Sequence, residues 1–111
     1  MADLLVHSQF YSPALLTWQG IYTTPPLAQT VITSILAANN DPDNDAKIWI
    51  LLAKSGDAYP QTMQIVVPGI RVNRASMAYL SDQYTLQAGT QVCVMTDNAN
   101  ISWQIMGLEV T

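Results

Sequence analysis

The chain has 111 residues, half of them apolar and only 11% charged, with a net charge of −4. That is enough length for one domain with a real core, at well under the roughly 25% charged residues usual in soluble domains. Four Lys and Arg residues make no basic patch for phosphates, so nucleic acid is excluded as an expected partner. No apolar run approaches the roughly 18 residues of a membrane-spanning helix.

Low charge has two readings. Part of the surface is covered in the working state, since interface centres are depleted in charge; or Thr, Ser, Gln and Asn keep a compact sandwich soluble. The first residues, MADLLVHSQF, carry Asp3 and no positive stretch, so they do not read as a secretory signal. Cys93 is the single cysteine and makes no internal disulfide. Between Val92 and Val94 it reads as a small core residue, in keeping with a reducing cytoplasm.

Residues 1–13 read as an N-terminal arm, and residues 14–111 as the domain. Leu4, Leu5, Val6, Phe10 and Tyr11 are clumped rather than helically spaced. The arm either packs or pairs with its own domain or reaches a neighbouring subunit. His7 has no Asp, Glu or Cys at ligand spacing, so no metal is expected there. Residues 14–24 form the first expected strand, with Gly20 marking a bulge or close approach and Pro25-Pro26 ending it. The next strand, Gln29–Ala38, is rich in β-branched residues.

A loop follows at residues 39–45, with Asp41, Asp43 and Asp45 at alternate positions. The spacing is suggestive of a calcium loop. The EF-hand pattern needs Gly at its sixth position and Glu at its twelfth; Ala46 and Leu52 stand there instead. A solvated connector is the preferred reading, with weak calcium binding as its alternative. Residues 46–54 contain Ile48-Trp49-Ile50-Leu51-Leu52, apolar on both strand faces, which points to a central strand covered on both sides. The expected cover is the arm or a neighbouring subunit.

Gln61–Val67 is another expected strand, and Pro68-Gly69 reads as a turn. Ile70–Arg74 is short and carries Arg71 and Arg74, read as surface or intersubunit salt-bridge residues. Ser76–Leu80 and Tyr84–Leu86 follow. The last hairpin joins Thr90–Thr96 to Ile101–Val110 through residues 97–100. In Ile101–Val110, Ile101, Trp103 and Ile105 alternate with Ser102, Gln104 and Met106, the period of a half-buried strand. The whole reads as all-β: a single antiparallel β-sandwich, jelly-roll-like, of about seven to eight strands with an N-terminal arm.

Several stretches carry a family resemblance. Ile21–Pro26 (IYTTPP) is followed by Thr30–Asn39 (TVITSILAAN), an apolar strand at Lys47–Ala53, Tyr84–Thr90 (YTLQAGT) and the terminal Met106–Val110 (MGLEV). In this order they resemble small β-sandwich virion proteins of tailed bacteriophages, across residues 15–111. Pro25-Pro26 and the acidic 41–45 insertion depart from that pattern. The resemblance implies a structural role in the particle and no enzymatic activity or cofactor. The expected function is a capsid cement (decoration) protein whose partners are the major capsid protein and copies of itself, as a homodimer or homotrimer. Its place is then the virion, after assembly in the host cytoplasm. Leu4, Leu5, Val6, Phe10, Tyr11, Trp49, Arg71 and Arg74 are the candidate interface residues. The alternatives are a tail, neck or fibre component, or a carbohydrate-binding sandwich with Trp18, Trp49, Trp103 and Tyr59 as a sugar platform. A hydrolase is disfavoured, because one His, one Cys and loop aspartates supply no nucleophile–base pair.

Overall fold

The structure, a computed structural model, describes residues 3–11 by their backbone and residues 15–54, 65–81 and 83–110 with side chains. Nine strand segments and no helix occur among these residues: β1 Asp3–Tyr11, β2 Gln19–Thr23, β3 Gln29–Asn39, β4 Ala46–Ala53, β5 Ile65–Val72, β6 Met77–Leu80, β7 Tyr84–Leu86, β8 Gln91–Thr96 and β9 Ile101–Val110. All pairings are antiparallel. The first sheet has the order β1-β9-β3-β6, with β7 also on β3, and the second has the order β2-β8-β4-β5. β6 pairs with Ile35–Ala38 and β7 with Thr30–Ile32, so the two continue one another along β3.

This order is that of one long hairpin rolled up. Its rising arm is β1, β2, β3, β4; each pairs with β9, β8, β6/β7 and β5 of the falling arm. Rolling adds the β3–β9 and β4–β8 pairings. The result is the double-sheet jelly roll, as the sequence pattern leads one to expect. β1 is the edge strand next to β9, with Leu4, Leu5, Val6, Phe10 and Tyr11 opposite Glu109, Leu108, Gly107, Trp103 and Ser102.

Between the sheets lies the core. Trp103, Ile101 and Ile105 of β9 face Ile48 and Ile50 of β4, with Ile32, Ile35, Val92 and Val94 around them, all 2% exposed or less. The expected inward alternation of β9 is therefore present. β4 is central and apolar on both faces. Ile48 and Ile50 enter the core, while Leu51 and Ala53 join Cys93 in a second cluster on the outer face of the second sheet. Trp18 and Ile65 of the same chain pack on that cluster. This cover is not β1, which belongs to the other sheet. It comes from the residue before β2 and the first residue of β5.

Two local readings are corrected. Pro68-Gly69 is not a turn between strands. β5 runs through it as an edge strand, where proline costs no ladder hydrogen bond. Gly69 takes φ +85° in an irregular stretch of the β4–β5 register, and the Trp49 indole lies against it, with Nε1 2.8 Å from where a Cβ would stand. The first domain strand begins at Gln19 rather than residue 14, because residues 15–18 turn ahead of it.

Two polar devices lock the layers together. The Tyr22 hydroxyl in the second sheet donates to Glu109 Oε1 at 2.6 Å and lies 2.7 Å from Thr30 Oγ1, both in the first sheet. Burial, followed by the Glu109 carboxylate, pushes the Tyr22 phenol up to about 12. At the other end, buried Asn39 donates to the carbonyls of Asn44 and Val72 and accepts from the Asp41 amide.

Candidate functional site

The described loop carboxylates of Asp41 and Asp45 act as structural groups. Asp41, Asp43 and Asp45 do not converge, and no group of three or more His, Cys, Asp or Glu side chains forms a metal site among the described residues. Asp41 serves as a loop clasp instead. Its Oδ1 accepts from the amides of Asp43 and Asn44, and its Oδ2 from the side-chain amides of Asn44 and Asn98. These hydrogen bonds, led by the Asp43 amide, hold its carboxyl down at about 2. The clasp joins the β3–β4 loop to the β8–β9 turn.

The expected interface residues fall in three places. Leu4, Leu5, Val6, Phe10 and Tyr11 lie on β1, at the free edge of the first sheet; their side chains lie outside the described residues. Trp49 is half-buried on the outer face of the second sheet, over Gly69. Arg71 stands on that same face, directly opposite Lys47. Arg74 follows β5 in the turn to β6. Asp45 draws the two arginines together: its Oδ2 lies 3.9 Å from Arg71 Nε, and its Oδ1 accepts from the Arg74 amide at 2.9 Å. An exposed pair of that length contributes about 0–1 kcal/mol.

Of the residues expected for a sugar platform, Trp103 is core, while Trp18 and Trp49 are half-buried, packed against the Cys93 cluster and Gly69 respectively. Tyr59 lies outside the described residues.

Among the described residues, a second apolar surface lies on the outer face of the first sheet. On β6, Ala78 and Leu80 turn to the core while Met77 and Tyr79 are 62% and 64% exposed. On β9, Ile105 and Gly107 are buried while Met106 and Leu108 face out. The register sets these residues in rows: Met77, Ala38, Ser102; then Tyr79, Leu36, Gln104; then Thr85, Val31, Leu108. Among the described side chains this face carries no charge, because Glu109 points inward to Tyr22. Polar and apolar alternation identifies which residues share a face, but Tyr79 and Met77 give no sequence signal that their face is left open. Where β5 and β6 part, Ile70 and Tyr79 also flank an apolar cleft that reaches Ile35 and Ile48.

No family model and no curated protein matches the sequence. Among solved structures, the chain is similar to a chain of the "Acidic stable capsid structure of Helicobacter pylori bacteriophage KHP30", with a TM-score of 0.50 and 11% identity over 100% of this chain and 94% of that one. At that identity the likeness shows the fold, end to end.

Proposed function

We propose that this chain is a structural protein of a tailed-phage virion, without catalytic activity, and that it acts as a capsid cement protein. The observation that supports this best is the end-to-end fold likeness to a chain of a phage capsid, on a molecule whose sequence resembles phage virion proteins. Its chemistry is consistent with a scaffold. The described acidic side chains Asp41 and Asp45 hold loops, and Cys93 is sealed in a hydrophobic cluster.

The contact with the major capsid protein is assigned to β1, with Leu4, Leu5, Val6, Phe10 and Tyr11. A strand edge presents unpaired N–H and C=O groups that a neighbouring chain can take up. Many copies on one shell then multiply modest contacts by avidity. The test is electron microscopy of purified particles that contain the chain. Density on the outer shell, with β1 against at least two capsid subunits, is expected. Density confined to neck, tail or fibres would replace the cement role with a tail role. Absence of the chain from particles would end the virion reading.

A further inference from the structure

We propose that the outer face of the first sheet is a homodimer interface, packed face to face on the same sheet of a second copy. The inference rests on the structural role assigned above only in that it names which partner occupies this face; the shell contact stays with the β1 edge.

Three observations favour a second copy. The first is charge. The chain carries −4, so two copies repel unless they meet where charge is absent. Val31, Leu36, Ala38, Met77, Tyr79, Met106 and Leu108 make such a surface, with Thr85, Ser102 and Gln104 among them. An uncharged apolar face is complementary to itself, whereas a charged partner surface would lose hydration with nothing to pair against. Asp3 and His7 are the titratable residues of β1, at register positions opposite Val110 and Met106, where this sheet reaches its edge.

The second is area. The three strand positions of β9, β3 and β6 with β7, at about 4.8 Å each and crossed by an 11-residue β3 at about 3.3 Å per residue, give roughly 500 Å². Two such faces bury about 1,000 Å² in total, the lower bound of a specific interface, so a weak dimer is expected. Aligned sheet packing, about 10 Å between sheets, lets the exposed Tyr79, Met77 and Leu108 interdigitate.

The third is the placement of the charges. Asp41, Asp43, Asp45 and Asp97 all lie in loops at one end of the strands. A two-fold axis across the strands puts these ends at opposite ends of the dimer. The molecule is 46 Å long, several times the screening length of about 8 Å. The outer face of the second sheet offers no such solution, since Lys47 and Arg71 stand side by side there and would be brought against themselves.

Sedimentation and light scattering of the purified full chain test this, across about 1 to 100 µM, where interfaces of this size form. The expected mass is twice that of the chain. Tyr79→Lys and Leu108→Lys each enter the interface twice and should weaken it at least 100-fold. Lys47→Gln, on the other sheet, should leave it unchanged. Circular dichroism and melting temperature confirm that each exposed-site variant is folded. A parent that stays monomeric at the top concentration, a trimer, or a dimer that both lysine variants leave intact would overturn the inference. Binding to purified shells is scored separately. A monomer that still binds shells leaves the virion role standing, while a dimer that ignores them leaves only the interface.

Discussion

Gly107→Ala is the sharpest test of the packing between β3 and β9. The β3–β9 register shifts between Ile32 and Ser34, and Gly107 pairs with Ile32 just beside that bulge. A Cβ on Gly107 would run into the carbonyl oxygen of Val31 and sit 3.0 Å from Ile32 Cα and 3.1 Å from Val31 C. All three are backbone atoms of a strand held on both sides, so β3 must lift off β9 locally. Losing two ladder hydrogen bonds costs about 2 kcal/mol, and overpacking adds about 1–3 kcal/mol. The conformational advantage of Ala over Gly returns about 0.5–1 kcal/mol. The net loss is roughly 3 kcal/mol, or about 10 °C in Tm for a domain of this size. Gly20→Ala is the matched control. Its Cβ would meet only the far end of the Gln91 side chain, which can swing away, so the expected cost is under about 1 kcal/mol. Thermal and urea unfolding followed by circular dichroism measure both. A Gly107→Ala variant within about 2 °C of the parent, or a Gly20→Ala variant equally damaged, would refute the reasoning.

Other expected outcomes follow from the same contacts. Tyr22→Phe removes the donor to Glu109 and should cost about 1.5–3 kcal/mol, read as a lower urea midpoint; an unchanged midpoint would show that the two sheets do not depend on this bridge. The raised phenol also makes stability pH-dependent. Its contribution is complete below the ordinary value of 10 and is lost as pH rises to about 12, so one of the five tyrosines should ionise late in an ultraviolet titration of the folded protein. Asp41 has the opposite sign. With its carboxyl held at about 2 against an ordinary 3.8, its contribution is present above the ordinary value and lost as pH falls toward 2. Asp41→Ala should therefore lower the melting temperature at neutral pH and flatten its acid dependence; identical acid profiles for variant and parent would contradict this. Trp18→Ala should open the outer cluster and let a thiol reagent reach Cys93 in folded protein, where the parent reacts only on unfolding; equal rates in both would remove Trp18 as its cover.

Much of the fold was legible in the chain, and the failures have identifiable causes. β9 could be read because Ile101, Trp103 and Ile105 alternate against a partly solvated face. β4 could be read as central because Ile48 through Leu52 leave no polar side. Pro68-Gly69 misled because turn chemistry and an edge-strand bulge use the same two residues. What separates them is the Trp49 indole across the ladder, which no local pattern reveals. The arm was ambiguous for a related reason: its apolar residues are clumped, and only the long-range pairing with β9 makes Asp3–Tyr11 a strand. The candidate face was less legible still. Leu51 and Met106 are both outward-facing apolar residues, yet Leu51 is fully buried and Met106 is 37% exposed. That difference is made by Trp18 and Ile65, distant in sequence from β4, and by nothing within either strand.

The two outer faces of this sandwich are therefore solved differently by one chain. On the second sheet, apolar residues are capped internally by Trp18 and Ile65, and the remainder carries Lys47 opposite Arg71. Like charges directly opposed destabilise a pair slightly, and their retention on that sheet makes stacking there costly, since both would have to shed water without a partner. On the first sheet the reverse holds. Glu109, its one described acidic strand residue, is turned inward to Tyr22, and Tyr79, Met77, Met106 and Leu108 stay out. Had Glu109 faced outward, a two-fold contact would bring two carboxylates into one apolar layer. The Tyr22 bridge thus does two things at once: it joins the sheets from within, and it keeps the outer surface of β9, β3 and β6 free of the charge that would forbid burying it.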